Sequence, residues 1–244
     1  MKVKKLGGVC LVTFFLLLLS LNAGAATIFS DDFNDGNAAG WAFYGPNSGY
    51  WSVNNGTLHH NSPGGYNSYS EFALIDGITT PNRFTLEADI NVLGSKYGND
   101  WGHVGLIWGV NDFNYPFQSF NTSYLRTHQD RVTNWSQVNG NWAYGNERFL
   151  NVTGGATNGV TYHLKVDVDY TTRLMTVGLN SDSITFSDST FDLLNQNSGG
   201  GIGLISWNDH ISYDNVRLTV VPEPATILLL VPGFLGMIGY KKGR

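Results

Sequence analysis

Alternation of apolar and polar residues is the dominant pattern along this chain of 244 residues. From Phe84 to Val92 every second residue is apolar, and the residues between them are polar or charged. The segment from Tyr162 to Asp169 repeats the pattern. A period of two is typical of a strand with one buried face, so both segments predict β-strands.

Turn-forming residues separate these and several further short apolar runs. The stretch VNNGTLHH places Asn55-Gly56 between two such runs, which predicts a β-hairpin. The runs recur at short intervals, and no segment has the period of a helix longer than about two turns. We therefore predict an all-β fold of about a dozen strands, a two-sheet antiparallel jelly-roll sandwich spanning residues 27–220.

Three stretches of this body resemble known jelly rolls. IFSDDFNDGNAAGWAFYG, followed by YWSVNNGTLHH, resembles the opening of laminin-G-like, concanavalin-A-like domains, and GGGIGLISWNDHISYDNVRLTV resembles their final strands. NDWGHVGLIWGVNDFN is similar to a stretch of the thrombospondin C-terminal lectin-like domain. These resemblances imply the same fold and a lectin-like function.

The two ends of the chain differ from the body. Residues 1–25 have a basic start, an apolar run and a small-residue cleavage site, Ala23-Gly24-Ala25, which together predict a secretory signal peptide. The single cysteine, Cys10, lies inside the apolar run, so the mature chain has no thiol. The sequence therefore predicts an exported protein without disulfide bonds.

Residues 221–244 form a second apolar segment at the other end. Pro222-Glu223-Pro224 precedes an apolar stretch, predicted to be a marginal transmembrane helix, and a basic tip follows it. This layout resembles the PEP-CTERM sorting signal, and the alternative is a plain tail anchor. The resemblance implies an exosortase-type processing enzyme as partner, a transient stay in the inner membrane, and a final location at the bacterial cell surface or outside the cell.

Charge and acidic clusters indicate which partners suit the body. The chain has 14 Lys and Arg against 19 Asp and Glu, and both ends are basic, so the body is strongly acidic. This excludes nucleic acid as an expected partner. Resemblance to calcium-binding jelly rolls implies a structural Ca²⁺ site where the first and last strands meet, while capping of turns is the alternative role. Its candidate ligands are Asp31, Asp32, Asp35, Asp214 and Asn215.

Aromatic residues in polar, glycine-rich surroundings are candidates for stacking on sugar rings. Their alternative role is to fill the core of the sandwich. The candidate glycan-binding residues are Trp101, Trp135, Trp142, Tyr144 and Arg148. A polysaccharide, such as an exopolysaccharide of the same cell, is the expected ligand.

One strand carries a partial catalytic pattern. Laminarinase-type hydrolases of this fold have a Glu-x-Asp strand with a further glutamate, and Glu87 and Asp89 match its first part. The second glutamate is missing, so a retaining mechanism lacks its acid/base partner on that strand. We therefore predict a non-catalytic, glycan-binding surface protein with no catalytic residues. Two alternatives stay open: a glycoside hydrolase or lyase with a non-standard site, and a structural matrix protein without a small ligand.

Overall fold

The structure is a computed structural model that describes residues 24–61, 70–95, 103–111, 119–126, 129–142, 148–187, 199–207 and 209–221. Contacts divide the chain into two units, Thr27–Thr219 and the two ends, Met1–Ala26 with Val220–Arg244. Nearly all of the predicted signal peptide and sorting segment, including Pro222, Glu223 and Pro224, lies outside the described residues. Within the described ranges, no helix has the length and apolar character needed to span a membrane.

The described residues form sixteen β-strands and one 3₁₀-helix. The strands are β1 (Ala26–Asp31), β2 (Trp41–Tyr44), β3 (Trp51–Asn54), β4 (Thr57–Asn61), β5 (Glu71–Thr79), β6 (Arg83–Ser95), β7 (His103–Val110), β8 (Phe120–Arg126), β9 (Arg131–Val138), β10 (Asn141–Trp142), β11 (Arg148–Asn151), β12 (Thr161–Asp169), β13 (Leu174–Leu179), β14 (Asp182–Ser187), β15 (Gly201–Trp207) and β16 (Asp209–Val220). The 3₁₀-helix is Ser48–Tyr50, between β2 and β3.

The strands form two sheets, and this confirms the predicted all-β, two-sheet antiparallel sandwich. Sheet A has the order β14-β13-β12-β6-β16-β4-β3, with β1 also paired to β16. Sheet B has the order β10-β9-β8-β7-β15-β5-β2, with β11 also paired to β9. The strand number exceeds the predicted dozen because several strands, such as β10, are only two to four residues long.

The core lies between the sheets and follows the alternation in the sequence. On β6 the residues Phe84, Leu86 and Ala88 are buried, and Leu164 and Val166 on β12 pack in the same cluster. These strands pair in register, with Ala88 opposite Leu164. Both alternating segments are therefore strands of sheet A with one face in the core, as the sequence predicts.

The predicted hairpin is also confirmed. β3 and β4 pair with Asn54 opposite Thr57. Asn55 and Gly56, the two residues between them, both have positive φ, 51° and 74°. Positive φ at both central positions is the conformation of the two-residue turn that Asn-Gly favours.

Sheet B departs from simple alternation. Every residue of β7 and of β8 is buried, so these strands are covered on both faces. Glycine allows the close packing: a Cβ on Gly105 would lie 2.1 Å from the carbonyl oxygen of Ser123. The Tyr213 hydroxyl accepts a hydrogen bond from Gly105 N (2.9 Å) and donates to the carbonyl oxygen of Ile205 (2.6 Å). A side chain of sheet A thus fixes the backbones of β7 and β15 from within the core.

Polar side chains occupy part of the core beneath β8 and β9. Ser136 Oγ donates to Asn121 Oδ1 (2.8 Å), and Ser123 Oγ donates to Asn134 Oδ1. All four side chains are buried. Burial of polar groups is tolerated when they bond to one another, as these cross-strand pairs do.

Candidate functional site

A β-bulge in β16 shapes the outer surface of sheet A. Tyr213 and Val216 are both buried, so the two residues between them, Asp214 and Asn215, do not follow a period of two. Asn215 has φ 51°, a left-handed conformation that Asn tolerates better than most residues. Bulges of this kind redirect side chains and are frequent next to active sites. Here the bulge presents Asp214 and Asn215 toward β6 and the first loop.

Carboxylates and their partners surround this bulge. Asn215 Nδ2 donates to Asp89 Oδ2 (2.8 Å), and His163 Nδ1 lies 2.8 Å from Asp89 Oδ1. His163 Nε2 lies 3.6 Å from Glu87 Oε2, so the imidazole stands between the two carboxylates. Arg217 Nε pairs with Glu87 Oε1 at 3.0 Å. We call this surface, made of Glu87, Asp89, His163, Asp214, Asn215 and Arg217, the acidic face.

An open polar pocket of about 540 Å³ adjoins the acidic face. Its lining comprises Thr27, Ser30, Asp31, Asp32, Asp35, Asn215, Val216 and Arg217. Asp214 lies beside it: partial burial raises the pKa of Asp214, and the negative charges of Asp89, Asp32 and Asp31 raise it further, against a hydrogen bond from Asn215 N. A carboxyl group with a raised pKa thus lies close to several other carboxylates.

The structure gathers the predicted calcium ligands at this pocket, but their oxygens already have protein partners. Asp31 accepts hydrogen bonds from Phe33 N (2.8 Å) and from Trp41 Nε1 (2.8 Å). Asp32 accepts from the backbone N–H two residues further on, and Asp35 does the same. Among the described residues no group of three or more His, Cys, Asp or Glu side chains could hold a metal ion. The described side chains take part in turn capping, and calcium binding stays a prediction.

The outer surface of sheet B is different in composition. The His103 ring lies between Tyr124 and Trp207, with ring centroids 4.5 Å and 4.4 Å away. Trp135 meets Tyr124 edge to face at 5.5 Å. We call these four residues, with Arg126, the aromatic face. They line most of a small pocket of about 110 Å³, with Ser70 and Ile205.

Arg126 completes the aromatic face by two contacts. Its Nε donates to His103 Nε2 at 3.0 Å, and its guanidinium carbon lies 4.9 Å from the centre of the Trp135 ring. His103 and Tyr124 are 3% and 2% exposed, while Trp135 and Trp207 are half-buried. The rings therefore pack mainly on one another, and only the two tryptophans keep surface for a ligand.

The predicted glycan-binding residues are distributed unevenly over the structure. Trp135 belongs to the aromatic face, whereas Trp101 and Tyr144 lie outside the described residues. For Trp142 in β10 and Arg148 in β11 the backbone alone is described. His103, Tyr124 and Trp207 were not among the predicted site residues. These residues alternate along β7, β8 and β15 with residues that face the core. This alternation is the feature of the sequence that indicates an outward position for their side chains.

Solved structures similar to this chain are sugar-binding or sugar-cleaving proteins. The carbohydrate-binding module CBM66 from Bacillus subtilis has a TM-score of 0.55 at 21% identity, covering 74% of this chain and 95% of its own. The β-glucanase of Bacillus licheniformis gives 0.54 at 14% identity, covering 79% and 97%. The laminarinase catalytic domain of Thermotoga maritima gives 0.56 at 12%, covering 82% and 99%. No family model matches the chain, and no curated protein does.

These comparisons show the fold and correct one prediction. The chain shares its sandwich with jelly-roll carbohydrate-binding modules and glycoside hydrolases. The predicted non-catalytic, lectin-like function is contradicted, because glycoside hydrolases make up most of these neighbours. They favour the alternative of a glycoside hydrolase with a non-standard site.

Proposed function

We propose that this chain is a glycoside hydrolase that cleaves a polysaccharide at the acidic face. The observation that carries the proposal is the raised pKa of Asp214 beside an open polar pocket, to which the charge of Asp89 on the neighbouring strand contributes, while Asn215 holds Asp89 by a hydrogen bond. Glycosidases use one carboxyl group that keeps its proton and a second that is ionised. The β16 bulge supplies the carboxyl group that β6 lacks.

Each residue has a specific role in this mechanism. Asp214 donates its proton to the glycosidic oxygen as the bond to the leaving sugar breaks. Asp89, held by Asn215 and facing His163, supplies the carboxylate that attacks the anomeric carbon or activates a water molecule. Arg217 pairs with Glu87 at the edge of the pocket and offers N–H donors to sugar hydroxyls.

The predicted sorting signals place this activity outside the cell. A signal peptide in residues 1–25 and a PEP-CTERM-type segment in residues 221–244 together imply export, transient anchoring in the inner membrane and processing by an exosortase-type enzyme. Mass spectrometry of the chain recovered from the cell envelope and from the medium checks both cleavages.

Release of reducing ends from a panel of polysaccharides tests the hydrolase proposal. The panel includes neutral β-glucans, amino-sugar polymers and uronic-acid polymers, each incubated with the purified body. With a polymer that is cleaved, Asp214→Asn and Asp89→Asn should each lower kcat by about 10²-fold or more, because proton transfer and its partner carboxylate are lost. The anomeric form of the first product, followed by NMR, distinguishes attack by Asp89 from attack by water.

Asp167→Asn is the matched control for these variants. Asp167 is a carboxylate on the outer face of sheet A, paired with Lys165 at 3.2 Å; it does not belong to the acidic face, and its charge is not among those that raise the pKa of Asp214. Its variant should keep full activity. The proposal fails if no polymer is cleaved, or if both Asp214→Asn and Asp89→Asn cleave as fast as the unmodified chain.

A further inference from the structure

Glu71, the first residue of β5, is the only Asp or Glu of the described residues that is buried, with 1% of its surface exposed. It belongs to neither the acidic face nor the aromatic face. The segment 45–50, which connects β2 to β3 and contains the 3₁₀-helix, lies against its carboxyl group. A buried carboxyl group outside the proposed active site needs its own explanation.

The contacts of this carboxyl group are one-sided. Asn47 N donates to Glu71 Oε1 at 3.0 Å. Within the described ranges, Oε2 has no hydrogen-bond partner. Oε2 lies against Gly45, where an added Cβ would come within 2.1 Å of it. Oε1 therefore accepts a hydrogen bond from the segment, whereas Oε2 contacts the backbone of the segment without a hydrogen bond.

The segment 45–50 is closed by its own hydrogen bonds. Ser48 N donates to the carbonyl oxygen of Gly45 (3.2 Å), and Tyr50 N donates to that of Asn47 (2.9 Å). It can therefore move as a unit once its contact with Glu71 is lost. Gly45 has φ 119°, a conformation open mainly to glycine, so the close approach to the carboxyl group depends on this residue.

We propose that Glu71 is a proton-dependent switch: its protonated carboxyl group keeps segment 45–50 closed over β5, and ionisation releases the segment to solvent. A neutral carboxyl group tolerates burial next to Gly45, and its Oε1 still accepts the bond from Asn47. A carboxylate in the same place has a negative charge out of water that only Asn47 stabilises, through its backbone and its side chain, which is costly. Opening of the segment lets water reach the charge.

The switch operates near neutral pH. Burial raises the pKa of Glu71 from 4.5 to about 7, against the hydrogen bond from Asn47. Because the closed state binds the proton more tightly, its stability is complete below about pH 4.5, falls as the pH rises toward about 7, and levels off above it. A shift of this size limits the change in the ratio of open to closed states to the order of 10²-fold.

Within the described residues, few other titratable groups lie on the elements next to Glu71. They are Tyr44 on β2, Tyr50 in the 3₁₀-helix and, on β4, His59 and the buried His60, and β15 contributes none. His60 Nδ1 shares a hydrogen bond of 3.0 Å with Ser206 Oγ, and Ser206 pairs with Glu71 across β15 and β5. Any pH dependence that survives removal of the Glu71 carboxyl group belongs to these residues.

Amide hydrogen exchange of Asn47, whose N–H donates to Glu71 Oε1, followed by NMR between pH 5 and 8.5, tests the switch. After correction for intrinsic exchange, the opening constant of the unmodified chain should rise toward 10²-fold across this range. In Glu71→Gln, which keeps an oxygen acceptor for Asn47 but cannot ionise, the constant should stay flat. Equal pH dependence in both proteins would overturn the proposal.

Gly45→Ala gives a second, independent test. The added Cβ would come within 2.1 Å of Oε2, and φ 119° is strained for alanine, so the contact with Glu71 should be lost and Asn47 should exchange rapidly at every pH while the amides of β6 and β12 remain protected. If the Asn47 amide stays protected in Gly45→Ala, the contact with Glu71 does not hold the segment and the proposal is wrong. Neither measurement depends on polysaccharide cleavage, so the switch proposal and the hydrolase proposal can each fail without the other.

Discussion

The outer faces of the two sheets have opposite chemistry, although both alternate with residues of the same core. On sheet A most outward positions of β6 and β12 are charged or polar and partly exposed, and several pair with one another, as Arg83 does with Asp169 at 3.3 Å. On sheet B the outward positions of β7 and β8 include glycine, histidine, aromatic and aliphatic residues, Thr122 and Arg126, and they are buried.

Because of this difference, the outer face that stabilises the fold belongs to sheet B, and the outer face proposed to carry the reaction belongs to sheet A. Exposed ion pairs contribute little to the free energy of unfolding. A carboxyl group with a raised pKa and an open pocket on the acidic face therefore lower the stability of the fold only slightly. Buried rings and close backbone contacts stabilise strongly and tolerate few changes. We therefore expect substitutions on sheet B to affect the fold, and those on the acidic face to affect activity and titration.

Tyr124→Ala should have the largest effect on stability. Its ring is 2% exposed and contacts both His103 and Trp135. Removing a buried aromatic ring costs about 3–5 kcal/mol in unfolding free energy. Denaturation with urea measures the loss, and a loss below about 1 kcal/mol would show that the aromatic face is not a packed layer.

Gly105→Ala should follow closely. A Cβ there would overlap the backbone of β8, at 2.1 Å from the carbonyl oxygen of Ser123, so the strands must separate at a cost of about 3 kcal/mol. Gly94→Ala on β6 is the matched control, since no atom of the described residues lies within 4 Å of its Cβ position. Urea denaturation of both variants should show a large loss in the first and almost none in the second; equal losses would contradict the difference between the sheets.

Asp89→Asn should change titration more than folding. The charge of Asp89 is one cause of the raised pKa of Asp214, so the pKa of Asp214 should fall in this variant. A raised pKa means that stability falls as pH rises through the interval between the ordinary and the raised values, and the variant should lose part of that dependence. Carboxyl ¹³C NMR titration measures the pKa of Asp214. An unchanged pKa would show that the charge of Asp89 does not act on Asp214.

Arg217→Ala should have the smallest effect on stability. Its side chain is 55% exposed, and its pair with Glu87 faces solvent. An exposed pair of this kind contributes about 0.2–1 kcal/mol, reduced further by salt. Urea denaturation at low and high salt checks the value, and a loss above about 2 kcal/mol would place the acidic face among the stabilising elements.

Local pattern was sufficient for the parts of the fold that depend on neighbours along the chain. The inward residues of β6 and β12 and the Asn55-Gly56 turn were predictable because a period of two and positive φ are local properties. The continuous burial of β7 was not predictable in detail, because cover on the outer face comes from residues far away in sequence.

The candidate site was predictable in its residues and not in its arrangement. Glu87 and Asp89 share a face by alternation, and Asp214 was recognised only as a possible metal ligand. The proximity of Asp89 and Asp214 depends on the adjacency of β6 and β16 in sheet A and on the bulge in β16, and Asp89 and its partner Asn215 are 126 residues apart. A bulge adds one residue to a strand and redirects the neighbouring side chains. The dipeptide Asp214-Asn215 by itself does not predict such an insertion.

The sequence by itself determined an all-β sandwich and the inward residues of its sheet A strands, because hydrophobic burial along a strand follows local periodicity. Only the tertiary structure decided that Asp214 lies near Asp89, that Glu71 is buried beneath Gly45, and that His103 packs between Tyr124 and Trp207. The reason is physical: the pKa of a carboxyl group and the exposure of a ring depend on the atoms that surround them, and strand order in the sheets sets those neighbours.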